Sequence, residues 1–190
     1  MIQMSKSKPL ATAKKPLTPK ADTAPAKIVV DDNQRLKEIR RLVIAHNQST
    51  IDTDTIICQI YMESHFDAKA GLNKHSARGL MQMQEPAVKQ VYKYRKKKEL
   101  GRSPSDKEKD VAFAAGAAFY ASPSIWDEVE NIKIGTEYMQ YWLETTSSIE
   151  EAYKKYRGKT NGVYYKKISA CAKKLAANPD SMQILRDTLK

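Results

Sequence analysis

Glu63 closes the apolar stretch "TDTIICQIYMESHF", and "SARGLMQMQ" follows soon after it. The apolar spacing predicts a helix that ends near Glu63 and Ser64. The carboxyl would then stand at a helix C-terminus, where the macrodipole is negative. Tyr61, Met62 and Phe66 add apolar surroundings that strip water from it. Both effects keep a carboxyl protonated to higher pH than in water. Such a group serves as a general acid. Breaking a glycosidic bond is one reaction that needs a general acid beside the bond oxygen. The same residue also fits a solvated glutamate at a frayed helix end, and residue types alone leave both readings open.

The elements that must position Glu63 read as helices. "NQRLKEIRRLVIAHN" puts Leu36, Ile39, Leu42 and Val43 on one face. Asp52 or Thr53 caps a second helix with a stripe of Ile56, Ile57 and Ile60. Pro86 marks the first position of a third helix, through about Lys98. "GRSPSDKEKD" reads as a polar loop and "KDVAFAAGAAFYA" as a short apolar helix. Ile134, Tyr138, Tyr141 and Trp142 recur at helical spacing, and Ser148 with Glu151 forms a capping-box pattern. "GVYYKKISACAKKLAA" predicts another helix, and Asn178-Pro179 is expected to start a last one. No strand run is evident beyond a small hairpin between Ala70 and Gln82. The expected fold is mainly α.

The chain of 190 residues is long enough for one core plus a tail. Residues 1–32 are rich in Lys, Pro, Ala and Thr and read as a flexible basic tail, with the domain at 33–190. The formal charge of +11 points to an anionic partner: nucleic acid, a membrane surface or an acidic polymer such as cell wall. The ten tyrosines fit either a core or a polysaccharide site. Cys58 and Cys171 match no metal-site spacing; they are two buried thiols or one disulfide between an early and a late helix. No stretch is long and apolar enough to span a bilayer. The Lys-rich start has no apolar segment of the kind that completes a secretory signal peptide.

"ESHFDAKA", with Glu-Ser-x-Phe, and "SARGLMQMQEPAV", with Ser-x-x-Gly-Leu-Met-Gln and a following Pro, resemble the lysozyme-like superfamily. The closer likeness is to the soluble lytic transglycosylase domain, the more distant one to goose-type lysozyme. "NIKIGTEYMQYWL", "SIEEAYKKYRG" and "YYKKI" are similar to later segments of that domain, in its order. Together they cover roughly residues 52–175. The resemblance implies a lysozyme-like helical domain in which Glu63 is the catalytic acid/base and Ser64 supports the helix end. It implies that Ser76 and Gln82 line the cleft, that Gly79 permits the turn and that Met81 forms the cleft wall. Tyr156 would contact Glu63 or the saccharide. Tyr164 matches the family's last tyrosine, with Tyr165 as the alternative register. Met81 and Tyr156 equally fit core packing. No cofactor and no metal are implied.

Two features depart from the family. Arg157 stands where the family has Asn, and is either a reader of a peptide carboxylate on the glycan or a surface cation. Residues of about 93–124 read as an insertion. An inverting glycosidase needs a second carboxylate roughly 6.5–9.5 Å from the first. The residue after "GLMQM" is Gln84 and the hairpin position holds Ser76, while Asp67 and Glu85 read as turned elsewhere. The expectation is therefore a single-Glu lytic transglycosylase acting on peptidoglycan glycan strands, with a hydrolysing muramidase as the alternative. A basic binder of wall polymer or nucleic acid is a third reading, without a nucleic-acid motif to support it. The substrate lies in the periplasm or cell wall. The expected partners, beyond the glycan, are a secretion apparatus or an immunity or inhibitor protein.

Overall fold

The structure, a computed structural model, describes residues 32–72 and 76–190. The tail reading lies outside the described residues except at Asp32, which already opens the first helix. Eight α-helices follow: α1 (Asp32–His46), α2 (Thr53–Ser64), α3 (Glu85–Leu100), α4 (Asp106–Ala121), α5 (Glu128–Thr145), α6 (Ile149–Arg157), α7 (Val163–Ala177) and α8 (Met182–Thr188). A short 3₁₀ turn, Pro123–Trp126, joins α4 to α5.

The α1 stripe is as the spacing predicts: Leu36, Ile39, Leu42 and Val43 are buried. In α2 the burial goes beyond one stripe. Ile56, Ile57, Cys58, Gln59 and Ile60 are all fully buried, because α1 and α7 both pack against this helix. Asp52 caps α2 by accepting bonds from the Thr55 backbone N–H (2.9 Å) and hydroxyl (2.7 Å). α5 packs on α1, α3 and α6, and α6 on α7, so the ends of α2 and α6 and the start of α7 come together.

Four expectations change. The polar run "GRSPSDKEKD" is a loop only to Ser105. There Ser105 and Glu108 form a complete capping box, and α4 starts at Asp106. Ser148 does accept a bond from the Glu151 N–H (3.2 Å), but the Glu151 carboxylate pairs with Lys154 (2.6 Å), so that cap is half a box. Asn178 closes α7, and α8 begins only after Ser181. The expected insertion at 93–124 spans the second half of α3, all of α4 and the start of the 3₁₀ turn, with α4 packed on α3. Among the described residues the hairpin shrinks to one antiparallel bridge, Arg78 with Met83. Cys58 and Cys171 are fully buried free thiols, with sulfurs 2.7 Å apart between α2 and α7.

Candidate active site

Glu63 sits in the last turn of α2 with its side chain 5 % exposed. It faces a cavity of about 320 Å³. Gln82 and Met83 come to this cavity from the loop before α3, Tyr138 from α5, and Lys155, Tyr156 and Arg157 from α6.

The helix end is fixed by the chain that follows it. His65 and Phe66 both take left-handed backbone (φ 51° and 66°), which costs energy for residues with a side chain. Tertiary contacts hold them there. The His65 N–H bonds the Tyr61 carbonyl at 2.8 Å, and the Phe66 ring packs edge-on to Tyr61 at 5.2 Å. Arg35 of α1 donates to the Phe66 carbonyl at 2.8 Å and pairs with Glu128 at the start of α5. Arg35 was not among the expected site residues, and its sequence context is that of any exposed helix arginine.

Two side chains hold the Glu63 carboxyl. The Tyr164 hydroxyl donates to Oε1, and Arg157 Nη1 lies 3.3 Å and 3.2 Å from the two oxygens. Burial is the largest influence and lifts the Glu63 pKa above its ordinary value; Tyr164 and Arg157 pull the other way without cancelling it. Arg157 is thus brought to the catalytic candidate itself, which neither sequence reading of it foresaw. Tyr164, not Tyr165, reaches Glu63, since Tyr165 stacks on Tyr153 at 5.1 Å. One turn before Glu63, the fully buried Gln59 accepts a bond from the Tyr153 hydroxyl at 3.0 Å. The signal for it was present: an amide in the middle of an isoleucine-rich helix, on the same face as Glu63.

The loop opposite Glu63 is held from α5. Asn131 is fully buried. It accepts the Met81 N–H (2.8 Å) and donates to the carbonyls of Ile125 (2.8 Å) and Arg78 (3.1 Å). Gly79 (φ 74°) is needed twice, for its left-handed backbone and because a Cβ there would overlap the Asn131 side chain. Gly135, one turn further along α5, leaves the space that Met81 fills. Met81 is therefore 0 % exposed and part of the core, not a cleft wall; Met83 borders the cavity instead. Tyr156 lines the cavity, but its hydroxyl bonds the Met81 carbonyl at 2.6 Å rather than Glu63. Gln82 also lines it; its amide nitrogen donates to the Ala70 and Gly79 carbonyls, both at 2.9 Å. Ser76 is exposed and stands outside the cavity, where Ala77 takes the lining position. The Tyr120 hydroxyl bonds the Ser76 carbonyl, which ties this segment to α4.

Among the described residues, Glu63 is the one carboxylate lining the cavity, beside the cations Lys155 and Arg157. Asp67 is exposed, and Glu85 pairs with Lys89 at 2.6 Å on α3. No group of three or more His, Cys, Asp or Glu side chains converges as a metal site among the described residues. A cavity of this kind can offer a proton from Glu63, take one back, and hold an anionic ligand at its cationic side. No family model, curated protein or solved structure matches the chain.

Proposed function

We propose that this protein cleaves the β-1,4 bond between N-acetylmuramic acid and N-acetylglucosamine in peptidoglycan, as a lytic transglycosylase with Glu63 as its single acid/base. The observation that carries this reading is the state of Glu63. Its carboxyl is buried, shifted toward the protonated form, open to a cavity, and without a second carboxylate among the described lining residues. The sequence resemblance supplies the substrate class.

Glu63 donates its proton to the glycosidic oxygen as the bond to the anomeric carbon breaks. The N-acetylglucosamine leaves with that proton on its new hydroxyl. Glu63, now a carboxylate, takes the proton of the muramic acid 6-hydroxyl while that oxygen bonds to the anomeric carbon. The product carries a 1,6-anhydro ring, no water is consumed, and Glu63 ends protonated as it began. Tyr164 orients the carboxyl through its hydroxyl. Arg157 and Lys155 favour an anionic polymer, which agrees with the +11 charge of the chain.

The site of action is then the periplasm or cell wall. No helix among the described residues is long and apolar enough to cross a membrane. Mass spectrometry of the soluble products tests the reaction: anhydro ends are lighter by one water than reducing ends. Reducing ends alone would make the enzyme a hydrolysing muramidase, and Asp67 and Glu85 would become the candidates for its base.

A further inference from the structure

Glu63 and Arg157 make an unequal pair. The Glu63 side chain is 5 % exposed and held by Tyr164; that of Arg157 is 41 % exposed. Arg157 uses one nitrogen, Nη1, on both carboxylate oxygens, at 3.2–3.3 Å. That is longer than a strong charge-assisted bond. Among the described residues its Nε and Nη2 donate to no protein acceptor, although a guanidinium has five N–H groups in a fixed fork. Its cation also rests over the Tyr164 ring, 4.8 Å from the centroid. The arginine is the last residue of α6 and lines the cavity. It is a counter-ion with spare donors on a residue that lines the cavity.

We propose that Arg157 is a specificity and positioning residue that exchanges partners: a carboxylate on the lactyl-peptide arm of the muramic acid takes its guanidinium from Glu63, and Glu63 gains a proton. This rests on the peptidoglycan reading above. A substrate carboxylate offers the fork a bidentate partner, which the single-nitrogen contact to Glu63 does not. Once Arg157 turns to the ligand, burial acts on Glu63 with less opposition, and the acid form needed for the first step is favoured. The other groups facing Glu63 do not replace the lost charge. Tyr164 on α7 and Tyr153 and Tyr156 on α6 all have pKa values raised by burial and stay neutral. Lys155 on α6 and Tyr138 on α5 line the same cavity, but the influences on the Glu63 carboxyl are burial, Tyr164 and Arg157, without Lys155 among them, and Gln59 on α2 is uncharged. The exchange couples recognition of the correct sugar to arming of the acid. A glucosamine polymer without carboxylates binds with Arg157 still on Glu63 and is a poor substrate.

The test is proton uptake on binding, read by calorimetry in buffers of different ionisation enthalpy. The probes are a muramic acid with its lactyl carboxylate free, a muramyl peptide with a free peptide carboxylate, and the fully amidated forms of both. Wild-type protein should take up a fraction of one proton with at least one carboxylate probe and none with the amides. The probe that does so identifies whether the lactyl or the peptide carboxylate is read. Wild type should prefer that probe over its amide by about tenfold or more. Glu63→Gln should bind without uptake. Arg157→Gln should lose both the uptake and the preference, whereas Arg157→Lys should retain uptake with a weaker preference. Binding with no proton uptake, or equal affinity for carboxylate and amide, overturns the exchange. Digestion of intact peptidoglycan separates the two levels. Glu63-dependent digestion without uptake refutes the exchange alone, and absence of digestion by wild type refutes the reaction and the exchange with it.

Discussion

The molecule holds two glutamates of similar burial, each facing an arginine of equal exposure, and they are built for different ends. Glu137 of α5 is 11 % exposed in its side chain and pairs with Arg95 of α3, 41 % exposed. Arg95 donates to one Glu137 oxygen from both Nε and Nη2, at 2.9 Å and 2.7 Å, and Lys98 adds a second cation at 4.0 Å from the other. Glu63, 5 % exposed, has Arg157 through one nitrogen at 3.2–3.3 Å and a neutral tyrosine hydroxyl. The first pair satisfies its carboxylate and joins two helices. The second leaves its carboxyl under-compensated beside a cavity. Burial alone therefore does not mark a chemical carboxyl; burial with loose pairing does.

The sharpest way to break that contrast is to neutralise each acid. Glu63→Gln should lower peptidoglycan digestion by about a thousandfold or more, since it removes the proton donor. Glu137→Gln should leave most of the activity. Comparable losses in a digestion assay, with both variants folded, would erase the distinction.

Next in size is the frame opposite Glu63. Asn131→Ala removes three hydrogen bonds and leaves the Met81 N–H and two carbonyls without that partner. Denaturant unfolding should show a loss of about 3 kcal/mol, and activity should fall with it. An unchanged midpoint would mean that the loop is held by other contacts.

The stabilities of the two acid variants should then move in opposite directions at neutral pH. Glu137→Gln weakens a partly exposed ion pair and should cost about 1 kcal/mol. Glu63 has a folded pKa above its unfolded value near 4.5. It therefore stabilises the fold below that value and loses the contribution as pH rises through the folded pKa. Glu63→Gln should unfold at higher temperature than wild type at neutral pH, with the gain fading toward acid pH. Thermal melts across pH check the sign.

Tyr164→Phe is expected to have the smallest effect. The hydroxyl bonds the charged carboxylate and lowers its pKa, so losing it raises the pKa of Glu63. The alkaline limb of the activity profile should move to higher pH, while the rate at its optimum falls by about tenfold or less. A limb displaced to lower pH would mean that Tyr164 acts on the neutral acid instead.

Some of this was legible before any fold was known. The α1 stripe, the Asp52 cap and the position of Glu63 at a helix end follow from spacing and side-chain type, which act over a few residues. The start of α4 was also written locally, as Ser105 with Glu108. It was hidden because the same charged residues that cap a helix also make a polar loop. The resemblance put Gln82 and Tyr164 at the site; in the structure Gln82 lines the cavity, while Tyr164 is outside that lining and reaches the site through its bond to the Glu63 carboxyl.

What the sequence by itself determined is a helical chain with a carboxyl at the end of an apolar helix; that this carboxyl is poorly solvated came from the fold. Only the tertiary structure decided what surrounds it. Met81 entered the core because Gly135, far along the chain, leaves room for it, and Met83 took the cavity in its place. Ser76 fell outside the cavity because Tyr120 of α4 ties its backbone elsewhere. Arg157 reached Glu63 because α6 packs so that its last turn faces the end of α2. Hydrogen bonds and ion pairs act over a few ångströms, and residues 63, 157 and 164 come within that range only when the helices pack.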